Sequence, residues 1–332
     1  MKKQISAVLA AAFIMSTAAS VLAAPVTDLV NKTTFNGDIR VRYDIVSKDN
    51  GTPDDDIMKY RLRLNVTNKL SDKLTANLRF TNGENEFGQK DGKFVLDRYN
   101  LSYKSPDYKL VIGRQDIQLF EGLAVNLTKW AGEDTKDNRL AALEGLTATT
   151  KFGDVNATAY FGQITDQKPY DAATGNKFDT QGLALSTNIE KVNVGVALVE
   201  VGAPQGTNFD KKFTTFAANT QLTKDLYFGT EFVSGLNADK DQAWTALLSY
   251  GKLQNVGDVN YQVQYKDVDR NALQKYNTDS WKSSSKDYTF WSVSAIKKLA
   301  NDLEGKLYYE NYDYNNGGTD QNTTRLDLVV KF

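Results

Sequence analysis

Apolar and polar residues alternate strictly in Ile39-Arg40-Val41-Arg42-Tyr43 and again in Tyr60-Arg61-Leu62-Arg63-Leu64. In an extended strand a period of two sends the apolar side chains to one face and the polar ones to the other. From Thr34 onward this pattern recurs, and no segment keeps a 3.6-residue apolar period. The runs are roughly ten to thirteen residues long, beyond the usual five or six of a soluble strand and close to the length of a tilted strand that crosses a membrane.

The pattern predicts sixteen strands, near 34–47, 57–69, 73–82, 94–105, 107–116, 143–152, 154–164, 178–190, 192–202, 213–224, 225–236, 241–252, 258–269, 286–298, 301–313 and 322–332. Their connections alternate in length. Leu70-Ser71-Asp72, Ser105-Pro106, Gly153-Asp154, Glu190-Lys191, Lys224-Asp225, Asn255-Val256-Gly257 and Ala300-Asn301 read as tight turns, and the intervening connections are mostly longer and rich in Asp, Asn, Gly and Lys. Short turns at one end and long loops at the other are the layout of an outer-membrane barrel. Hydrocarbon offers no hydrogen-bond partners, so such a sheet must close on itself and leave no edge. The expected fold is therefore all-β: a 16-stranded antiparallel transmembrane β-barrel with short periplasmic turns and long external loops.

The direction of alternation agrees. Leu326, Leu328, Val330 and Phe332 would face lipid, while Arg325, Asp327 and Lys331 face the interior. Aromatic residues gather toward the strand ends, with Tyr103, Tyr108, Phe152, Phe228, Tyr250 and Phe332 on the turn side. Tyr43, Tyr60, Phe80, Tyr99, Phe232, Trp244, Trp291 and Tyr309 lie on the loop side. Two girdles at the membrane boundaries are the expectation.

The first residues follow a different logic. Lys2 and Lys3 precede an apolar, Ala-rich run to about Ala19, and small residues follow, ending at Val21-Leu22-Ala23. This is the order of a secretory signal peptide cleaved before Ala24, too short for the ~20 apolar residues of a membrane-spanning helix. The expected organisation is a signal peptide over 1–23, a short segment over 24–33 and the barrel over 34–332. Its destination would be the outer membrane of a Gram-negative bacterium.

Composition narrows the chemistry. The 332 residues include no His and no Cys. Disulfides, thiol nucleophiles, zinc-thiolate sites, His-ligated haem and the Ser-His triad are thereby excluded. Forty Lys plus Arg balance 41 Asp plus Glu, without the basic excess of a nucleic-acid binder. No cofactor is implied. Asp54-Asp55-Asp56 reads as a solvated loop tip ahead of a Ca²⁺ site.

With these features in place, the opening Asn36-Gly37-Asp38-Ile39-Arg40-Val41-Arg42-Tyr43 and the terminal Leu328-Val329-Val330-Lys331-Phe332 resemble the Gram-negative outer-membrane porins of the sixteen-stranded general type. The resemblance spans essentially the whole chain after the signal. It implies a homotrimer of water-filled channels passing small hydrophilic solutes and ions, with an inward-folded third loop forming a constriction. It also implies that Phe332 acts as the assembly signal. The third long connection here, between Ile117 and Ala142, is also the longest.

Alternation places Arg40, Arg42, Lys59, Arg61, Arg63, Arg79 and Arg98 on the inner face of the first four strands, and Arg325 on the last, which closes against the first. One sector of the wall is then basic. If the third loop folds inward, Glu121, Glu133, Asp134 and Asp137 would stand opposite it and set up a transverse field. Alternatively, Asp38, Asp44 and Asp327 pair with these arginines across strands. Arg114 points outward by strict alternation unless Gly113 marks a bulge. A mild anion preference is expected from the excess of wall cations.

Two competing readings are weaker. An enzymatic barrel lacks the His on which such sites usually depend, and a secreted β-sandwich would have shorter strands and less regular loops. A substrate-specific channel or a structural outer-membrane barrel remains the alternative function.

Overall fold

In a computed structural model, residues 32–50, 54–88, 94–128, 140–167, 177–202, 211–236, 239–273, 278, 286–315 and 318–332 are described. The segment read as a signal peptide lies outside them. The strands are β1 (Thr33–Lys48), β2 (Asp55–Lys69), β3 (Leu74–Thr81), β4 (Asn85–Glu86), β5 (Val95–Lys104), β6 (Tyr108–Gln115), β7 (Leu140–Phe152), β8 (Val155–Gln167) and β9 (Lys177–Ile189). They continue as β10 (Val192–Val201), β11 (Lys211–Gln221), β12 (Leu226–Gly235), β13 (Gln242–Tyr250), β14 (Val259–Val268), β15 (Tyr288–Lys298), β16 (Leu303–Tyr314) and β17 (Gln321–Lys331). Apart from the two-residue β4, these are the sixteen strands expected from the alternation. Each pairs antiparallel with its neighbours, and β17 pairs with β1 from Asp38↔Lys331 to Lys48↔Gln321, so the sheet is a closed barrel. Phe332 extends the closure: its N–H donates to Gly37 O and its carbonyl accepts from Gly37 N.

The two faces differ as the alternation requires. Along β17, Leu326, Leu328 and Val330 are exposed at 49%, 45% and 39%, while Arg325 and Asp327 between them are exposed at 5% and 4%. The outer face is thus apolar and the inner face carries the charge. Aromatic rings meet on the outer face at both ends of the strands. Trp244 contacts Tyr265 and Trp291 contacts Tyr309, each at 5.0 Å toward the loop end, and Tyr103 contacts Tyr108 at 5.9 Å toward the turn end.

Two local departures matter. The β13–β14 connection runs from Gly251 to Asp258, longer than the expected three-residue turn. There the Asp258 carboxylate accepts from the N–H groups of Gln254 and Asn255 at 3.0 and 2.7 Å, which fastens a wider turn. The second departure is a bulge on β5: the β3–β5 register shifts between Arg79 and Phe80, leaving Asp97 as the extra residue. The bulge thus lies one strand away from Gly113. Gly113 itself has φ +121°, and a Cβ there would stand 2.3 Å from Tyr99 O. Only glycine fits this close approach of β6 to β5.

Candidate functional site

The inner face at the seam is built from an order in the sequence. β1 presents Asp38, Arg40, Arg42 and Asp44 inward, acid–base–base–acid; β2 answers with Arg63, Arg61 and Lys59, and β17 with Asp327 and Arg325. The register sets Arg42 directly opposite Asp327 and Asp44 directly opposite Arg325. The Arg42 guanidinium donates to both Asp327 oxygens, at 2.7 and 3.0 Å, a bidentate pair. Arg325 Nε donates to Asp44 Oδ1 at 2.7 Å, and Lys59 Nζ to Asp44 Oδ2 at 3.2 Å. On the other side of β1, Asp38 accepts from Arg61 and Arg63, each at 2.7 Å.

A loop completes this network. After β3 the chain turns inward, and Glu84, 7% exposed, forms ion pairs with Arg40 and, at 3.2 Å, with Arg42. β4 then pairs with β2, setting Asn85 opposite Tyr60 and Glu86 opposite Lys59. An acid in a polar connection such as Glu84 has no sequence mark that separates an external position from an internal one. Glu84 is drawn into the barrel, where two arginine cations stand against its carboxylate.

Arg79 and Arg98 are held by acids on β5 and just beyond β6. Arg79 donates to Asp97 at 2.7 Å and to Asp116 at 3.0 Å, and Arg98 donates to Asp116 at 2.6 Å. Arg114 stands opposite Tyr99 and Glu144 in the register, yet its guanidinium does not lie on the exposed outer face: it shares the Asp97 carbonyl with the inward Arg98. It is 2% exposed, donating to Glu144 at 2.7 Å and to Asp97 O at 2.9 Å.

The third long connection leaves β6 and crosses to the far side of the barrel. Residues 117–127 double back on themselves: Gln118 and Asn126 form a bridge, Leu119 N donates to Val125 O, and Leu127 N donates to Ile117 O. Ile117, Leu119, Leu123, Val125 and Leu127 are 0–6% exposed and pack in one apolar cluster with inward side chains such as Leu143, Ile164, Val199, Phe213 and Val233. One arc of the inner wall is therefore apolar where the seam is charged. At the tip, Glu231 of β12 is fully buried and accepts from Leu123 N at 3.0 Å, Ala124 N at 3.2 Å and Thr215 Oγ1 at 2.9 Å. Glu121 accepts from Tyr227 at 2.5 Å beside Gly229, where a Cβ would strike its carboxylate.

The expected set of acids facing the basic sector is accordingly revised. Glu121 is turned onto β12, because Tyr227 and the space at Gly229 receive its carboxylate there. Among the described residues of this connection, the acid that meets Arg79 and Arg98 is Asp116, at its root. Glu133, Asp134 and Asp137 lie outside the described residues. Glu84, Asp97, Asp116 and Glu231 were not singled out by alternation. The legible signal was the alternate-position apolar series Ile117, Leu119, Leu123, Val125, Leu127, broken at Glu121, inside a segment read as a loop.

Solved structures share this architecture. A mutant of the Rh. blastica porin superposes with a TM-score of 0.58 at 13% identity, covering 90% of this chain and 100% of that one. The fold is that of the porins. A triple mutant of the Rhodopseudomonas blastica porin gives a TM-score of 0.57 at 14% identity with the same coverage. No family model and no curated protein matches the sequence. At these identities the porin likeness is one of fold.

Proposed function

We propose that the protein is a porin-type channel: a water-filled barrel through which small hydrophilic solutes and ions diffuse passively across the outer membrane of a Gram-negative bacterium, without chemical turnover. The observation that carries this reading is the pairing of a closed sheet with an apolar outer face and a charged inner one. Such a cylinder is stable in lipid only with its polar side enclosed, and an enclosed polar face of sixteen-strand girth holds water. Residues 1–23 would direct export and be removed, Phe332 would mark the chain for assembly, and the functional unit would be a homotrimer.

The basic sector gives this channel its electrical character. Arg40, Arg42, Lys59, Arg61, Arg63, Arg79, Arg98 and Arg325 face six carboxylates, those of Asp38, Asp44, Glu84, Asp97, Asp116 and Asp327. Most of the cationic charge is neutralised within the wall, and the small surplus yields a mild anion preference. Reconstitution into liposomes tests the function. Vesicles carrying the protein swell when moved into isotonic solutions of small sugars and stay rigid in large ones; vesicles that do not swell in any sugar would refute the channel.

A further inference from the structure

The third connection does not stand alone in the barrel. In the connection between β14 and β15, Ala272 and Leu273 are 0% and 2% exposed and belong to the same apolar cluster as Leu123 and Val125. Lys211, at the loop end of β11, donates to the carbonyls of Asn271 and Leu273 at 3.2 and 3.4 Å. Thr278 Oγ1 donates to Gly122 O, at the tip of the third connection, at 3.1 Å. Asp287 closes the arrangement from the start of β15, accepting from Lys240 Nζ and from Arg270 N, each at 3.0 Å. A connection that merely capped the barrel in solvent would keep its apolar side chains on its own surface and leave its carbonyls to water.

We infer that residues 269–273 and Thr278 form a second constriction element, clasped by Lys211, which sets the size of solute admitted together with the third connection. The inference rests on the channel reading and deepens it. The clasp works because a lysine held at the rim satisfies two carbonyls beside the apolar wall; residues 269–271 are also tied to Asp239, Lys240, Gln242 and Asp287, so loss of the ammonium loosens the end of the segment at Leu273 first. Leu273 supplies the apolar contact and Thr278 transmits the position of one connection to the tip of the other.

The chain has no cysteine, so a single introduced thiol reports on its own surroundings. Leu273→Cys is exposed to a charged, water-soluble thiol reagent beside Asp239→Cys, a control at an exposed position. The expected result is modification at least about tenfold slower at 273 than at 239, the protection of a packed segment. Lys211→Met, with unchanged electrophoretic migration before and after boiling, should raise single-channel conductance and admit larger polyethylene glycols. Introduced together with Leu273→Cys, it should also bring the reaction rate toward that of the control. Slow reaction combined with an enlarged polymer cut-off supports the inference; any other combination in a protein that conducts overturns it. A wild-type protein carrying no current would instead defeat the channel reading itself.

Discussion

Arg325 on the last strand and Asp44 on the first meet across the line where the barrel closes, Nε to Oδ1 at 2.7 Å, in a register that places the two residues directly opposite. Two residues along, Arg42 and Asp327 repeat the contact with the charges exchanged between strands. With β1 fixed, a slip of one residue would turn Asp327 and Arg325 to the outer face and leave Arg42 and Asp44 alone inside, and a slip of two in one direction would set Arg42 opposite Arg325. The paired charges therefore encode the correct closure, beyond whatever net energy each contributes.

Asp327→Asn should destabilise the closed barrel by about 1–3 kcal/mol, since Arg42 loses its bidentate acceptor in a buried site. The readout is the temperature at which the folded electrophoretic band converts to the unfolded one. Exchanging the pair, Asp44→Arg with Arg325→Asp, should recover most of the loss seen in either single variant. Equal instability of the double variant would show that closure does not depend on this complementarity.

Glu231→Ala removes the acceptor of two backbone N–H groups at the tip of the third connection and of the Thr215 hydroxyl on β11. The two N–H groups, of Leu123 and Ala124, lie in an apolar cluster, so the tip should leave the wall and fluctuate. Open-channel current noise should rise severalfold while the barrel's thermal conversion shifts by only a few degrees, because β12 keeps both its strand neighbours. Quiet, wild-type current traces would mean that the apolar contacts alone hold the tip.

Arg61→Gln combined with Arg63→Gln leaves Asp38 without the two cations that donate to it. Of the charges named in the basic sector, six cations would then face six carboxylates, with Asp38 released toward the lumen, and selectivity should move toward cations. Reversal potentials across a salt gradient read this directly. An unchanged potential would place the conducting path away from β1 and β2.

The tie between Asp287 and Lys240 predicts a pH dependence. Burial pushes the Asp287 carboxyl upward, but the hydrogen bond from Lys240 and the N–H of Arg270 outweigh it and hold its pKa below the usual aspartate value. A depressed carboxyl stabilises the folded arrangement above its unfolded value and loses that contribution as pH falls through the folded one. The polymer cut-off should thus stay constant from neutral pH down to the ordinary aspartate range and widen only below it. In Asp287→Asn that acid step should be absent. A cut-off that widens already at mildly acidic pH would assign the response to another group.

The strands were legible because the outer face admits few alternatives: every second residue must be apolar over a long run, as Leu326, Leu328 and Val330 are. The pairing of Asp38, Asp44 and Asp327 with arginines was open as one of two arrangements, since alternation fixes the face of a side chain but not its partner. Asp97 was hidden by a bulge, which one sequence does not announce. Glu84 was hidden because an acid in a turn has the same composition whether it meets water or two arginines. Glu231 looked like any inward polar residue of a barrel strand. Its role comes from the tip that docks on it, a contact 107 to 108 positions away in the chain.

Continuous water along the enclosed polar face is what would make this barrel a channel. Single-molecule current recorded across a planar lipid bilayer addresses this directly. The prediction is an ohmic current that rises in discrete, equal steps as protein inserts, scales with bulk salt conductivity, and crosses zero slightly toward the anion potential in a gradient. Refolded, heat-modifiable protein that inserts and carries no such current would contradict it.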